Sequence, residues 1–327
     1  MHKNDEYKEK LKDESLAFDK QIIERVNHGH VPDLRGQRCE WFYNNVWRDP
    51  FYTNLFYGTT VRHVVESINK YIDKKPNEVN VLEIACGPGH ISLEISRNGF
   101  NVTGFDLSPV CIKAAQQTAS NDPYIKERGS LEYKAGNIFD YDASAAFDVV
   151  VFSCALHHFG DVDNILKKVD SLLKPSGIIF VSEPKREILS TTDALVIHLI
   201  RTLLSGTGHY FKEFEIPRKQ EDISECLEEI KNEFDYKNEN GENIQSPMDN
   251  EANYSDMFSA LNQNFVTLEN KDDFSFFDRI IGGIRFESIE KEHEVAQWLY
   301  LVDKMLCGNG GTSAKHFHYI GKKRDSR

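Results

Sequence analysis

Positive charge is scarce in this chain: 39 Lys+Arg stand against 52 Asp+Glu in 327 residues, a formal net charge of −13. Affinity for nucleic acid comes largely from Lys and Arg displacing phosphate counterions, so a general nucleic-acid binder is disfavoured. Paired cysteines are lacking too. Cys39, Cys86, Cys111, Cys154, Cys226 and Cys307 form no C-x-x-C motif and join no His cluster at zinc spacing, so neither a disulfide framework nor a metal site is expected, and the thiols read as reduced in a cytoplasmic protein. No apolar run approaches the roughly 18 residues of a membrane span, and the charged start, Lys3-Asn4-Asp5-Glu6, stands where a signal peptide needs apolar residues. Membrane insertion and export are therefore not expected. At 40% hydrophobic residues the chain can bury a real core, as one decorated domain or two modest ones.

The negative charge is concentrated between residues 212 and 273. Within that segment, the run from Glu239 to Glu251 is poor in large apolar residues and rich in loop formers, which predicts a mobile loop. It reads either as a solvated surface insertion or as a lid or docking face for a cationic partner.

From Pro76 onward short apolar runs alternate with helical patterns: Val79 to Ala85, a helix from about His90, Phe100 to Phe105, a helix after Ser108, Leu131 to Ala135, Phe147 to Phe152, a helix from about Asp163, then Gly177 to Ser182. This alternation predicts an α/β fold, a mostly parallel sheet with helices on both faces. Ser108-Pro109 supplies an N-cap hydroxyl before a proline in the first helical position. After Pro184 the rhythm breaks into a helix over Ala194 to Leu204 and the acidic segment, and strand-like runs return at Phe265 to Leu268 and His316 to Ile320. The expected organisation is a helical N-terminal cap over 1–75, a core over 76–184 and 262–327, and a helical, acidic insertion over 185–261.

Val81 to Ile91 contains an apolar strand, a loop of small residues (Ala85-Cys86-Gly87-Pro88-Gly89) and a helix start, an arrangement that lets a ligand meet backbone N–H groups. A nicotinamide fingerprint, G-x-G-x-x-G, would place a small residue at position 90, where His90 stands, so a dehydrogenase is disfavoured. Asp106 ends the next strand, where a carboxylate can accept both hydroxyls of a ribose or, alternatively, favour only the N-terminus of the following helix.

Five segments in order, Glu83 with Ala85 to Gly89, Asp106-Leu107-Ser108-Pro109, Gly136-Asn137-Ile138-Phe139-Asp140, Phe147-Asp148-Val149-Val150-Val151, and Leu172-Leu173-Lys174-Pro175-Ser176-Gly177, make the chain resemble the class I S-adenosylmethionine-dependent methyltransferases. The resemblance implies a Rossmann-like seven-stranded sheet and S-adenosylmethionine as cofactor. It implies that Ala85, Gly87 and Gly89 pass the methionine end, that Asp106 and Leu107 hold the ribose, that Asn137 and Ile138 meet the adenine, and that Ser153 faces the cofactor. Ala85 stands where the family usually has glycine, which is tolerable if φ there is negative, and Asn137 replaces the usual aspartate. Glu83 either orients the loop or the cofactor ammonium or is only a buried acceptor.

Ligands in such sheets bind beyond the carboxyl ends of the strands, so Ser153 to Phe159 should line the reaction centre. His158 and His157 are the candidate bases there, with packing or a hydrogen bond as the alternative. The aromatic segment Arg38 to Tyr52 suggests, by analogy, that Tyr43, Arg48 and Tyr52 close over the site, or that the aromatics simply dock the N-terminal helices; His209 is a further substrate-side candidate. The reading that follows is methyl transfer to oxygen or nitrogen of a small metabolite or a peptide natural product, with Arg48 or Arg35 available for a carboxylate. A non-catalytic cofactor-binding scaffold is the alternative, and a homodimer stays open.

Overall fold

The computed structural model describes residues 2–186, 189–235, 237 and 240–324; Glu239 of the acidic loop lies outside the described residues. Its strands are β1 Asn80–Ile84, β2 Asn101–Asp106, β3 Leu131–Ala135, β4 Phe147–Ser153, β5 Leu173–Pro184, β6 Phe265–Asp272 and β7 His316–Lys323. They form one sheet in the order β3-β2-β1-β4-β5-β7-β6, parallel except that β7 runs antiparallel to β5 and β6. This is the mostly parallel, seven-stranded α/β sheet expected above.

The central strand shows why. Phe147 to Phe152 is entirely buried, and a strand covered on both faces reads as a near-continuous apolar run, broken here only by Asp148, which Asn80 N, Lys74 and Lys174 hold. Its alternate residues feed two cores: Val149 and Val151 pack with Val61, Val64 and Ile68 on one face, Val150 and Phe152 with Ile165, Leu166 and Val169 on the other. Each fully buried Val or Leu contributes about 1.5–3 kcal/mol. The helices are α1 His2–Asn27, α2 Pro50–Tyr71, α3 His90–Arg97, α4 Pro109–Ser120, α5 Val162–Leu172, α6 Thr191–Gly206, α7 Gln220–Asp235, α8 Tyr254–Asn264 and α9 Ile289–Gly308. Ser108 caps α4 through its Oγ, which accepts from Cys111 N at 2.9 Å, and Asp49 caps α2 before Pro50.

Parallel register pairs Ile84 with Phe105, Asp106 with Ala135, and Ser153 with Ser182, which gathers the carboxyl ends of β1 to β5 along one edge. Above it lie α1, the loop before α2, and the segment between α7 and α8. The boundaries differ from expectation in two places. Met257 and Leu261 of α8 are buried in the second core, so the chain rejoins the sheet before residue 262. Between β6 and β7, α9 packs on α2, placing most of 273–315 in the cap layer. Among the described residues no helix is long and apolar enough to cross a membrane, and all six cysteines are unpaired.

Candidate functional site

A cavity of about 890 Å³ opens at that edge, within the range that small-molecule and cofactor sites occupy. Glu83, Ala85, Gly87, Asp106, Leu107, Asn137, Ile138 and Ser153 all line it. The loop after β1 is held open by left-handed backbone: φ is +55° at Ala85, +53° at Gly87 and +79° at Gly89. The negative φ that would make alanine tolerable at position 85 is therefore not met. A non-glycine residue in this conformation costs about 1–2 kcal/mol, and a second one, Cys154 with φ +51°, also lines the cavity, so two strand ends carry strain at the same chamber. A Cβ on Gly87 would meet no atom within 4 Å, so open space lies beside it. Gly89 does not line the cavity. A Cβ there would stand 2.5 Å from Tyr133, whose hydroxyl donates to Gly89 O, so its role is the turn itself.

Asp106 ties the loop down: Oδ2 accepts from Gly87 N at 2.7 Å and Oδ1 from Ser108 N at 2.8 Å. Burial pushes its carboxyl up to about 6 against the pull of those two N–H groups, and each oxygen keeps a lone pair for a further donor. Glu83 accepts from Ser92 Oγ, and burial pushes it up to about 8. Asn137 Oδ1 accepts from Phe139 N at 3.1 Å, which leaves its NH₂ and one Oδ1 lone pair for a purine edge. Ser153 Oγ is buried without a partner.

At the other end stand the two histidines. Glu183 is fully buried; its Oε1 accepts from Ala155 N and Leu156 N at 2.6 and 2.7 Å, and its Oε2 from His157 Nδ1 at 2.6 Å. Asp249 Oδ1 approaches His157 Nε2 at 3.3 Å. Burial pushes His157 down, but these two carboxylates outweigh it and the ring is held above the usual range. His158 goes the other way, lowered by burial and by His157 even though its Nδ1 donates to Glu14 Oε1 at 2.8 Å. Glu14 also accepts from Ser246 Oγ and Met248 N, so one carboxylate of α1 joins the cap, the insertion and the loop after β4.

The four residues expected on the substrate side are elsewhere. Tyr43 is 63% exposed and leans on Phe211. Arg48 and Tyr52 are fully buried around Glu292: Arg48 Nη2 donates to its Oε2 at 2.8 Å and Tyr52 Oη at 3.2 Å. His209 stacks on Phe286 with its Nδ1 against Arg285 O. None of the four lines the cavity. Arg35, the other expected carboxylate holder, is bound to Glu94. From the aromatic segment the cavity takes Asn45 and Trp47 instead, with Trp47 edge-on to His90.

A family model described as a methyltransferase domain matches residues 75–245, a span that contains the loop after β1, Asp106, Asn137 and both histidines. The chain belongs to the class I S-adenosylmethionine-dependent methyltransferases. It is 33% identical over 156 residues to the ubiquinone biosynthesis O-methyltransferase, mitochondrial, of Saccharomyces cerevisiae, 46% of this chain and 48% of that one. It is 28% identical over 192 residues to the ubiquinone biosynthesis O-methyltransferase of Pelagibacter ubique, 57% of this chain and 77% of that one. The chain thus spans about half the length of the yeast relative. Among solved structures, a putative sarcosine dimethylglycine methyltransferase from Galdieria sulphuraria aligns with a TM-score of 0.49 at 13% identity, over 94% of this chain and 98% of that one.

For this methyltransferase the loop residues fit S-adenosylmethionine: the space beside Gly87, the unpartnered Ser153 Oγ and two buried carboxyls suit a cationic nucleoside. Sequence reasoning missed Glu14, Arg186, Ser246 and Asp249. Each is a single polar residue in an unremarkable local pattern, and only the packing of α1 and the insertion onto the loop after β4 brings them together.

Proposed function

We propose that this methyltransferase acts on a hydroxyl oxygen of a small, ring-bearing acceptor such as a phenol, a reading in line with relatives named as ubiquinone biosynthesis O-methyltransferases. The observation that carries the reading is that one cavity joins the cofactor loop to the His157–His158 pair. When bound, S-adenosylmethionine supplies an electrophilic methyl group for in-line displacement by a lone pair. The chain's own residues do the rest. Ala85, Gly87, Asp106, Leu107, Asn137, Ile138 and Ser153 hold the nucleoside. Glu83 faces its cationic end. Phe18, Trp47, Phe56 and Phe274 wall the chamber with flat apolar surface, which suits an aromatic acceptor and excludes water. The His157–His158 pair receives the hydroxyl. A peptide acceptor is disfavoured because Arg35 and Arg48, the arginines available for its carboxylate, are committed to Glu94 and Glu292. Unpaired cysteines suit a reducing compartment.

The test is incubation with methyl-labelled cofactor and a panel of catechols, monophenols, amines and short peptides. Label in a phenolic ether is expected, and label confined to amines or peptides refutes the reading. His158→Ala and His157→Ala are expected to lower turnover on the phenol that reacts.

A further inference from the structure

We propose that Asp278 selects the acceptor: its carboxyl receives a hydrogen bond from an uncharged hydroxyl at the far end of an extended aromatic acceptor, away from the oxygen that takes the methyl group. The proposal rests on the phenol reading given above and deepens it by naming the class of phenol. Asp278 lies beyond residue 245, where the match to the family model ends, and the segment that carries it belongs to the cap layer.

Five rings that line the cavity follow one another along one wall. Trp47 to Tyr57, Tyr57 to Phe56, Phe56 to Phe274 and Phe274 to His316 stand 4.7–5.0 Å apart between centroids. The run starts at the cofactor loop, where Trp47 meets His90 edge-on, and ends at His316, whose Nε2 is 3.8 Å from Cys154 Sγ. A single phenol covers only part of such a wall, which therefore suits an acceptor with more than one ring. Asp278 lines the same cavity and follows Phe277, whose ring is edge-on to Phe274 at 5.0 Å. Its segment is fixed from behind by Asp303 of α9, a fully buried side chain that accepts from Ser275 N, Phe276 N and Phe277 N at 2.7, 2.5 and 2.7 Å. A contact group carried on such backbone is preorganised, so a ligand does not have to order it. The neighbours of Asp278 come from α6, α7 and its own segment, whereas those of the histidine pair come from α1, β5, the residues just after it and the segment between α7 and α8. The two polar ends of the acceptor chamber are thus built from different elements.

The Asp278 carboxyl is incompletely satisfied. Its Oδ1 has no hydrogen-bond partner, and its Oδ2 meets Arg279 Nε at 3.3 Å, while the side chain stays 17% exposed. The Arg279 guanidinium itself lies over the Phe234 ring at 4.4 Å. Burial raises the carboxyl above the ordinary range. An enclosed carboxyl in this state gains from a donor that arrives with the ligand. That donor is uncharged because the cations of this stretch are already matched. Arg201 forms a two-bond fork with Glu233, both bonds at 2.9 Å, Lys315 donates to Asp193 at 2.6 Å, and Arg279 stands beside Asp278. A ligand ammonium would add a positive charge to a stretch that is neutral without it, whereas a hydroxyl donates to Asp278 and leaves the balance as it is.

The experiment compares two biphenyls, one with a hydroxyl on each ring and one with a single hydroxyl, in the full chain and in its Asp278→Leu and Asp278→Asn variants. It reads kcat/KM for methyl transfer and, separately, binding of each biphenyl by calorimetry to protein saturated with S-adenosylhomocysteine. The wild type is expected to prefer the dihydroxy compound by at least about tenfold, since a site built to hydrogen-bond a hydroxyl rejects the analogue that lacks it. It should also hold that compound more tightly than a biphenyl with an aminomethyl group in place of the second hydroxyl. Asp278→Leu should bring the preference close to one, and Asp278→Asn, which keeps an accepting oxygen, should fall between. A graded loss of preference at unchanged Kd for S-adenosylmethionine is not what a merely structural carboxyl produces. Equal values for the two biphenyls in the wild type, a preference that survives Asp278→Leu, tighter binding of the aminomethyl compound, or no binding of either biphenyl overturns the proposal. The phenol reading stands apart: Asp278-dependent binding of the dihydroxy compound without label in any phenolic ether refutes that reading alone, whereas methylation of both biphenyls without preference refutes the role of Asp278 alone.

Discussion

Glu83 makes cofactor binding depend on pH in a direction that can be worked out. In the free protein burial holds its carboxyl at about 8, so below that pH it carries its proton. A ligand with a cationic end beside it favours the carboxylate, and binding must then expel the proton. Affinity is expected to rise with pH up to about 8 and to level off above it. Each unit below the free value costs up to about 1.4 kcal/mol, and because half the carboxyls are already protonated at pH 8, lowering the pH from 8 to 6.5 should weaken binding by up to about 16-fold, or about 1.7 kcal/mol. That interval lies above the value of about 6 held by Asp106, which keeps the second carboxyl ionised. The assay is calorimetry with S-adenosylmethionine at several pH values in buffers of different ionisation enthalpy, beside Glu83→Gln. At pH 7 the wild type should release about 0.9 proton per ligand bound, the protonated fraction of a group titrating one unit higher. Glu83→Gln cannot ionise: the release and the slope should vanish, with affinity near the wild-type value at pH 6.5 and weaker than wild type at pH 8. Equal slopes in the two proteins would show that Glu83 does not face the cofactor's charge.

Three further outcomes are expected. Gly89→Ala places a Cβ at φ +79° against Tyr133 and should cost at least about 1–3 kcal/mol of stability in urea, whereas Gly87→Ala, with open space at its Cβ, should cost only about 1–2 kcal/mol but lose most cofactor affinity; the same pattern in both would remove the distinction between turn and cradle. Glu292→Gln leaves Arg48 buried without its carboxylate and should destabilise the fold by about 3–5 kcal/mol while leaving cofactor affinity unchanged below the melting range, and a lost affinity would return Arg48 and Tyr52 to the site. Glu14→Gln keeps the shape of the junction but weakens its hold on His158, and turnover should fall by up to about 100-fold at unchanged cofactor Kd, measured by steady-state kinetics and calorimetry.

The two halves of the cavity were unequally legible in the sequence for a physical reason. The cofactor half is built where strands of a parallel sheet end, so each contribution is local: Val81 to Gly89 is at once strand, loop and helix start, and Asp106 and Asn137 sit at the next two strand ends. The composition of such a run has to show because the buried stretches of β1 and β4 are apolar apart from Glu83 and Asp148 and the loop must tolerate positive φ. Even there, the conformation of Ala85 escaped prediction, since alanine carries no sign that the surrounding hydrogen bonds force it to +55°. The acceptor half has no such locality. Glu14 sits on α1, Arg186 after β5, Ser246 and Asp249 in the segment between α7 and α8, and they converge on His157 and His158 only through packing. The residues that looked functional in the cap, Arg48 and Tyr52, drew notice because an arginine amid aromatics is conspicuous, yet that composition is also what a buried ion pair needs around it when a helix docks onto a core. The acidic segment read as a loop for the same reason: its charge average concealed Asp249, a carboxylate that the fold buries beside Ser246 and Met248 while Glu242 and Glu251 stay in solvent. An averaged property describes the surface such a segment presents, whereas the chemistry of this cavity rests on the individual exceptions to that average.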